Sequence, residues 1–193
     1  MKNDSGHCSR RSFVKASATT VASLSALSVG LSSGAYAAGS GRVRIGALGC
    51  GGRGSGAIIN CLQADDGVEL VAIADAYQDR IDTGVEKIRR WCEKNSKPAR
   101  ERVKVTPETT FLGFNGYKKL LALKDVDLVL IATPACFHPV HLEAAIQAGK
   151  HAFMEKPAAV DPPGARKIIE AGELARQKGL AMVAGTQRRH QAK

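Results

Sequence analysis

The chain has 193 residues, 44% hydrophobic and 24% charged, which suits one ordinary globular domain with a tail and excludes wholesale disorder. Its formal net charge is +10 and aromatics make up only 5%. The lysines and arginines are scattered at helical spacing among acids through 87–104, 118–124, 150–167 and 176–193; without aromatic interleaving they describe a solvated basic surface, and nucleic acid is not expected as a partner.

Residues 1–15 carry Lys2, Arg10, Arg11 and Lys15 against one acid, Asp4. The stretch that follows, ASATTVASLSALSVGLSSGAYA, is uncharged and serine-rich, too polar for a stable membrane span. Ala35-Tyr36-Ala37 supplies a small-x-small cleavage pattern. The run Ser9–Lys15, SRRSFVK, resembles the twin-arginine export consensus. The expectation is a signal peptide over 1–37 and a linker over 38–41. The twin-arginine export machinery becomes a partner, and the protein reaches the periplasm or the exterior already folded, with a cofactor loaded in the cytoplasm.

From residue 42 apolar runs alternate with helical periodicity. Val43–Leu48 reads as a buried strand, and Ala57, Ile58, Ile59 and Leu62 as one face of a helix. A second strand, ELVAIA over Glu69–Ala74, ends on Asp75. Ile81, Val85, Ile88 and Trp91 or Cys92 mark an amphipathic helix from Gln78 to about Asn95. The segment KPARERVKVTPETTF reads as loop around a short strand at Val103–Val105, followed by a short helix holding Tyr117, Leu120 and Leu121. Val126–Ala132 is the most continuous apolar strand, as expected when helices cover both sheet faces. His138–Ala148 is helical, His151–Met154 a strand, and Ala181–Ala184 the last strand. Between these two strands Asp161 caps a helix with Pro162 and Pro163 in its first turn and Ile168, Ile169 and Leu174 facing the core. This alternation predicts an α/β fold, a doubly wound parallel sheet of the Rossmann type over 42–187. Residues 188–193 begin a further, truncated region.

In such sheets ligands bind beyond the carboxyl ends of the strands. Gly49, Gly51 and Gly54 form GxGxxG between the first strand and first helix, with Gly52 and Arg53 inside the loop. Gly49 permits a tight turn, Gly51 lets backbone approach a pyrophosphate, and Gly54 lets the helix lie close to the strand; the helix N-terminus adds free N–H donors. Asp75 stands where a carboxylate accepts hydrogen bonds from ribose hydroxyls. A purely structural glycine turn is the alternative. Asp75 favours NAD, whereas Arg80 one turn later leaves NADP open. The cysteines at 8, 50, 61, 92 and 136 form no CxxC pair and have no zinc spacing with histidine; they read as small buried side chains, with no metal site.

After the fourth strand comes Ala132-Thr133-Pro134-Ala135-Cys136-Phe137-His138, and after the fifth Met154-Glu155-Lys156-Pro157. Together with GCGGRG, AIAD, AGKHAFMEKP and GTQRRH, these segments resemble the glucose–fructose oxidoreductase, inositol dehydrogenase and MocA family over residues 42–193. The resemblance implies a cofactor site that includes Thr133, Pro134, His138, Glu155, Lys156, Gln187 and Arg188. It implies that Lys156 is catalytic, holding the reacting hydroxyl while hydride leaves for the nicotinamide; a cation there would answer the alkoxide-like charge that develops. An ordinary exposed lysine is the other reading of Lys156, and a structural cap the other reading of His138. Ala135 replaces the asparagine usual in the family's motif, removing a side-chain contact. His141 reads as ordinary helix surface.

The resemblance also implies a second α/β domain that supplies most substrate contacts and the usual homo-oligomer surface. This chain stops before it, so turnover is expected to require more than these residues. The expected function is that of the nucleotide-binding half of an exported NAD(P)-dependent oxidoreductase acting on a sugar or polyol hydroxyl. The alternatives are an NAD-dependent glycoside hydrolase using transient redox, and a non-catalytic nucleotide-binding fragment.

Overall fold

The computed structural model describes residues 41–95 and 101–190; the expected signal peptide lies outside the described residues. Six strands run in chain order as β1 (Val43–Leu48), β2 (Val68–Asp75), β3 (Thr110–Leu112), β4 (Leu128–Ile131), β5 (His151–Glu155) and β6 (Met182–Gly185). The helices are α1 (Gly52–Ala64), α2 (Gln78–Asn95), α3 (Gly116–Leu121), α4 (His138–Gln147), α5 (Pro162–Gln177) and the short α6 (Gln187–His190). All strand pairings are parallel and the sheet order is β3-β2-β1-β4-β5-β6. This is the doubly wound order, with its reversal point between β1 and β4. No helix among the described residues is long and apolar enough to cross a membrane.

Burial on both faces explains the near-continuous apolar strands. Ile45, Ala47, Leu70, Ile73 and Leu130 pack under Ile58 and Leu62 of α1 and Ile81 and Ile88 of α2. On the opposite face Val129, Ile131, Ala152 and Met154 meet Leu120 of α3, Leu142 and Ile146 of α4, and Ile168 of α5. Each fully buried Leu or Ile contributes about 1.5–3 kcal/mol, so the two layers supply the main stabilisation. At the start of α5 the Asp161 carboxylate accepts the Gly164 N–H at 2.7 Å, an N-cap that fixes where the β5–α5 connection ends.

Three expectations need correction. Val103–Val105 forms only an isolated bridge, Val103 to Leu70, and the third strand lies later, at Thr110–Leu112. The earlier segment touches the sheet only near the start of β2, where Lys104 N–H donates to the Leu70 carbonyl. Ile169 is 67% exposed, because α5 turns Ile168, Ala171 and Ala175 inward. Cys50 and Cys92 are buried, yet Cys136 is exposed in a 3-10 turn, Ala135–Phe137, that crosses the rim of the sheet. Burial, with the charge of Asp75 adding to it, pushes the Cys50 thiol up to about 12, so this cysteine is inert packing.

Candidate functional site

The carboxyl ends of β1, β2, β3 and β4 open into a cleft of about 580 Å³. β1 stops at Leu48 and the chain turns at Gly49, whose φ of 93° lies in the left-handed region. A Cβ on Gly49 would stand 2.7 Å from the Ala132 carbonyl oxygen, and one on Gly54 would overlap the carbonyl oxygen of Gly49. Internal packing therefore demands both glycines. Gly51 and Gly52 differ, because a Cβ at either would meet no protein atom. Both line the cleft, so the absence of side chains keeps open space next to the α1 N-terminus. Gly51 is the N-cap and provides no side-chain cap, which leaves the first-turn N–H groups and the positive end of the helix dipole available to an anion.

Asp75 ends β2 at the same rim. Its Oδ2 accepts the Cys50 N–H at 2.7 Å and its Oδ1 accepts the Tyr77 N–H at 3.1 Å. Two main-chain donors thus hold the carboxylate in place, and each oxygen keeps lone-pair capacity for a further donor. Arg80, exposed, lines the cleft beyond it and stands 3.8 Å from Asp79.

Arg53 also lines the cleft, but its guanidinium is engaged. Nη2 donates to Glu155 Oε1 at 2.5 Å, across from the end of β5. The Glu155 side chain is 4% exposed and that of Arg53 34%. Arg53 Nε and Glu155 Oε2 are both buried without a hydrogen-bond partner. Lys156 follows Glu155 directly, exposed and outside the cleft lining.

Thr133 and Pro134, just after β4, line the cleft. His138 stands behind that wall, 1% exposed, with Nε2 2.7 Å from the Thr133 carbonyl oxygen and Nδ1 2.9 Å from the Pro157 carbonyl oxygen. The ring staples the loop after β4 to the loop after β5. Gln187 is exposed at the start of α6, outside the cleft lining; the side chain of Arg188 lies outside the described residues.

His141, expected at the helix surface, is buried and lines the cleft. Its Nδ1 lies 3.0 Å from Thr133 Oγ1, and its ring packs between Tyr117 at 4.7 Å and Phe137 at 5.9 Å between centroids. Burial pushes its pKa down to about 4, the charge of His138 adding to the effect. Tyr77, Phe114, Tyr117 and Phe137 complete the lining, and sequence reasoning missed all four. Tyr77 and Phe137 follow shortly after strands that had been located, so the carboxyl-end rule already pointed to them. Phe114 was hidden by the misplaced third strand. Among the described residues no group of His, Cys, Asp and Glu could hold a metal ion.

A doubly wound parallel sheet with a glycine turn at its first strand and an anchored carboxylate at its second defines a dinucleotide-binding domain. Residues 43–186 match the profile of the oxidoreductase family with an NAD-binding Rossmann fold, Gfo/Idh/MocA, and the chain belongs to that family of NAD(P)-dependent oxidoreductases. It is 35% identical over 135 residues to a glycosyl hydrolase family 109 protein of Solibacter usitatus, covering 69% of this chain and 27% of that protein. It is 33% identical over 141 residues to an alpha-N-acetylgalactosaminidase of Shewanella oneidensis, covering 72% of this chain and 28% of that one. Among solved structures, a mutant 3-ketoreductase of Actinomadura kijaniata in complex with TDP-benzene and NADP superposes with a TM-score of 0.55 at 27% identity, covering 78% of this chain and 40% of the other. The chain spans a little over a quarter of the length of these curated relatives.

Proposed function

We propose that the cleft holds NAD, and that the chain is the nucleotide-binding part of an exported enzyme acting on a sugar or polyol hydroxyl. One observation carries the cofactor placement: the glycine turn and Asp75 share a hydrogen bond, Cys50 N–H to Asp75 Oδ2, so the phosphate cradle and the ribose acceptor are built as one unit. The open space at Gly51 and Gly52 and the uncapped start of α1 fit a pyrophosphate. Asp75 favours NAD, because a 2′-phosphate would approach a fixed carboxylate; Arg80 on the rim keeps NADP within reach of the same site.

When bound, NAD supplies a hydride acceptor. Lys156 would hold the substrate hydroxyl and offset the negative charge that develops on its oxygen. Glu155, clasped by Arg53, fixes the end of β5 from which Lys156 departs. His138 holds Thr133 and Pro134 against the loop after Lys156, and Gln187 and Arg188 would border the nicotinamide end once a further domain closes over it. Substrate selection and a homo-oligomer surface would come from a second domain. Delivery by the twin-arginine route, to the periplasm or beyond, follows from SRRSFVK.

A second reading has specific support, since relatives carry glycosyl hydrolase family 109 and alpha-N-acetylgalactosaminidase names. In it a ring hydroxyl would be oxidised transiently, the aglycone would leave by elimination, water would add at the carbon it left, and the hydride would return to the sugar, so no external nucleotide pool is needed. Released aglycone without net NADH from a chromogenic alpha-N-acetylgalactosaminide would favour it; net NADH with intact glycoside would favour plain oxidation.

The cofactor placement is tested by calorimetric titration of the chain with NAD. Replacing Asp75 with Ala removes a ribose acceptor from a partly buried rim and lowers affinity by about 1–3 kcal/mol. Unchanged affinity would move the ribose elsewhere, and no binding by the unaltered chain would remove the dinucleotide.

A further inference from the structure

The chain holds five Phe, three Tyr and one Trp, and Tyr77, Phe114, Tyr117 and Phe137 converge on this one cleft. Three of them are solvent-facing: Tyr77 is 60% exposed, Phe114 64% and Phe137 37%. Single exposed aromatics are ordinary, whereas a contiguous row marks an interaction surface. Here the row is continuous. Tyr77 meets Phe114 edge-on at 6.4 Å, and Phe114 meets Phe137 at 5.9 Å. Phe137 then stacks on buried His141, which packs on Tyr117. One end of the ladder is therefore anchored in the fold and the other, Tyr77 with Phe114, is free.

The free end adjoins the Asp75 carboxylate. Tyr77 N–H donates to Asp75 Oδ1, so the turn that aims the carboxylate also carries the ring. A ribose held by Asp75 would carry its base on the adjacent carbon, beside these rings. The polar side-chain groups at this end are the Arg80 guanidinium and the Tyr77 hydroxyl; among the described residues no Asn, Gln or Ser side chain, and no Asp other than Asp75, lines it. A flat, apolar wall of this kind grips a base by its face, and every purine presents such a face. The Arg80 plane can cover the opposite side.

We propose that Tyr77 and Phe114 form the platform for the adenine of the dinucleotide, and that the base is held by stacking with little discrimination among purines. The proposal rests on the reading that Asp75 takes the adjoining ribose, and it adds what holds the base and how selectively. The occupant is a nucleotide base because the ladder is continuous with the glycine turn and Asp75 within a single cleft.

The test is calorimetric titration of the chain with ADP-ribose and with its hypoxanthine analogue, for the unaltered protein and for Phe114→Ala and Tyr77→Ala. Both rings are exposed and both backbones stay intact, so circular dichroism melts should be unchanged. Each substitution is expected to weaken ADP-ribose about tenfold, while ribose 5-phosphate is unaffected. The hypoxanthine analogue is expected to bind the unaltered chain within about threefold of ADP-ribose. Unaltered ADP-ribose affinity in both variants would overturn the platform while leaving the dinucleotide reading in place. So would a change in oligomeric state by sedimentation without a change in affinity, since the ladder would then cover a second copy. A large preference for adenine over hypoxanthine would overturn the lax selectivity. Failure of the unaltered chain to bind ADP-ribose would sink the dinucleotide reading itself, and the platform with it.

Discussion

The two ends of the sheet are built on opposite principles. At the amino ends of the strands charges are matched and main-chain groups are closed off, with the buried Nε of Arg102 the exception among the described residues. Arg44 donates through Nε and Nη2 to the two Asp127 oxygens at 3.0 and 2.9 Å, and through Nη1 to Asp125 at 2.6 Å. Glu69 is shared by Arg42 and Lys104, and the latter hydrogen bond leads in holding its carboxyl below the usual range. Lys150 donates to the Leu123 carbonyl and Lys178 to the Ile146 carbonyl. At the carboxyl ends, glycines leave space, the start of α1 is uncapped, aromatic rings face solvent, and a buried ion pair keeps an unused donor and acceptor. Satisfied groups stabilise a fold; unsatisfied ones are where a ligand finds partners. The contrast marks the carboxyl ends as the candidate site.

Substitutions can break this contrast at several strengths. The largest effect is expected at Gly54→Ala, whose Cβ would overlap the Gly49 carbonyl oxygen; about 3 kcal/mol or more of stability should be lost together with NAD binding. Gly51→Ala sharpens the comparison, because that residue has an ordinary φ of −62° and open space around it. Its melting midpoint should be unchanged while NAD affinity falls at least about tenfold, and unchanged affinity would show that nothing approaches the backbone there.

An intermediate effect belongs to His141. With a folded pKa of about 4 against an unfolded value near 6.5, the unfolded chain binds more protons between those values. The contribution is fully present above about pH 6.5 and is lost as pH falls to about 4, roughly 3 kcal/mol in all. Denaturant titrations across that window should show the slope, and His141→Gln should flatten it. The smallest effect is expected at the opposite end of the sheet. Asp127→Asn breaks a pair that is 35% exposed on each side chain, so about 1 kcal/mol of stability is lost, with NAD affinity unchanged. A fall in affinity there would contradict the division between the two ends.

The doubly wound sheet was legible because strands buried on both faces leave continuous apolar runs, such as Leu128–Ile131, between helical periodicities. Thr110–Leu112 was not, since a three-residue strand with intermediate and exposed positions carries no periodic signal. In the site, the glycine turn and Asp75 could be read from spacing because local backbone geometry dictates those residue types. The burial of His141 and the Arg53–Glu155 pair could not, because each depends on elements brought together only by the crossover connections. Ile169 looked like a core residue for the converse reason: hydrophobicity alone does not say which side of α5 meets the sheet.

The Arg53–Glu155 clasp limits how this loop can be redesigned. Exchanging GCGGRG for another nucleotide-gripping sequence that lacks the arginine would strand a carboxylate that is almost wholly shielded from water, and leaving such a charge uncompensated typically costs about 3–5 kcal/mol. Retargeting toward a different coenzyme therefore requires altering both segments in concert. The nucleotide grip is not a transplantable cassette, because its counter-ion is stored a hundred residues downstream, beside the lysine proposed for the chemistry.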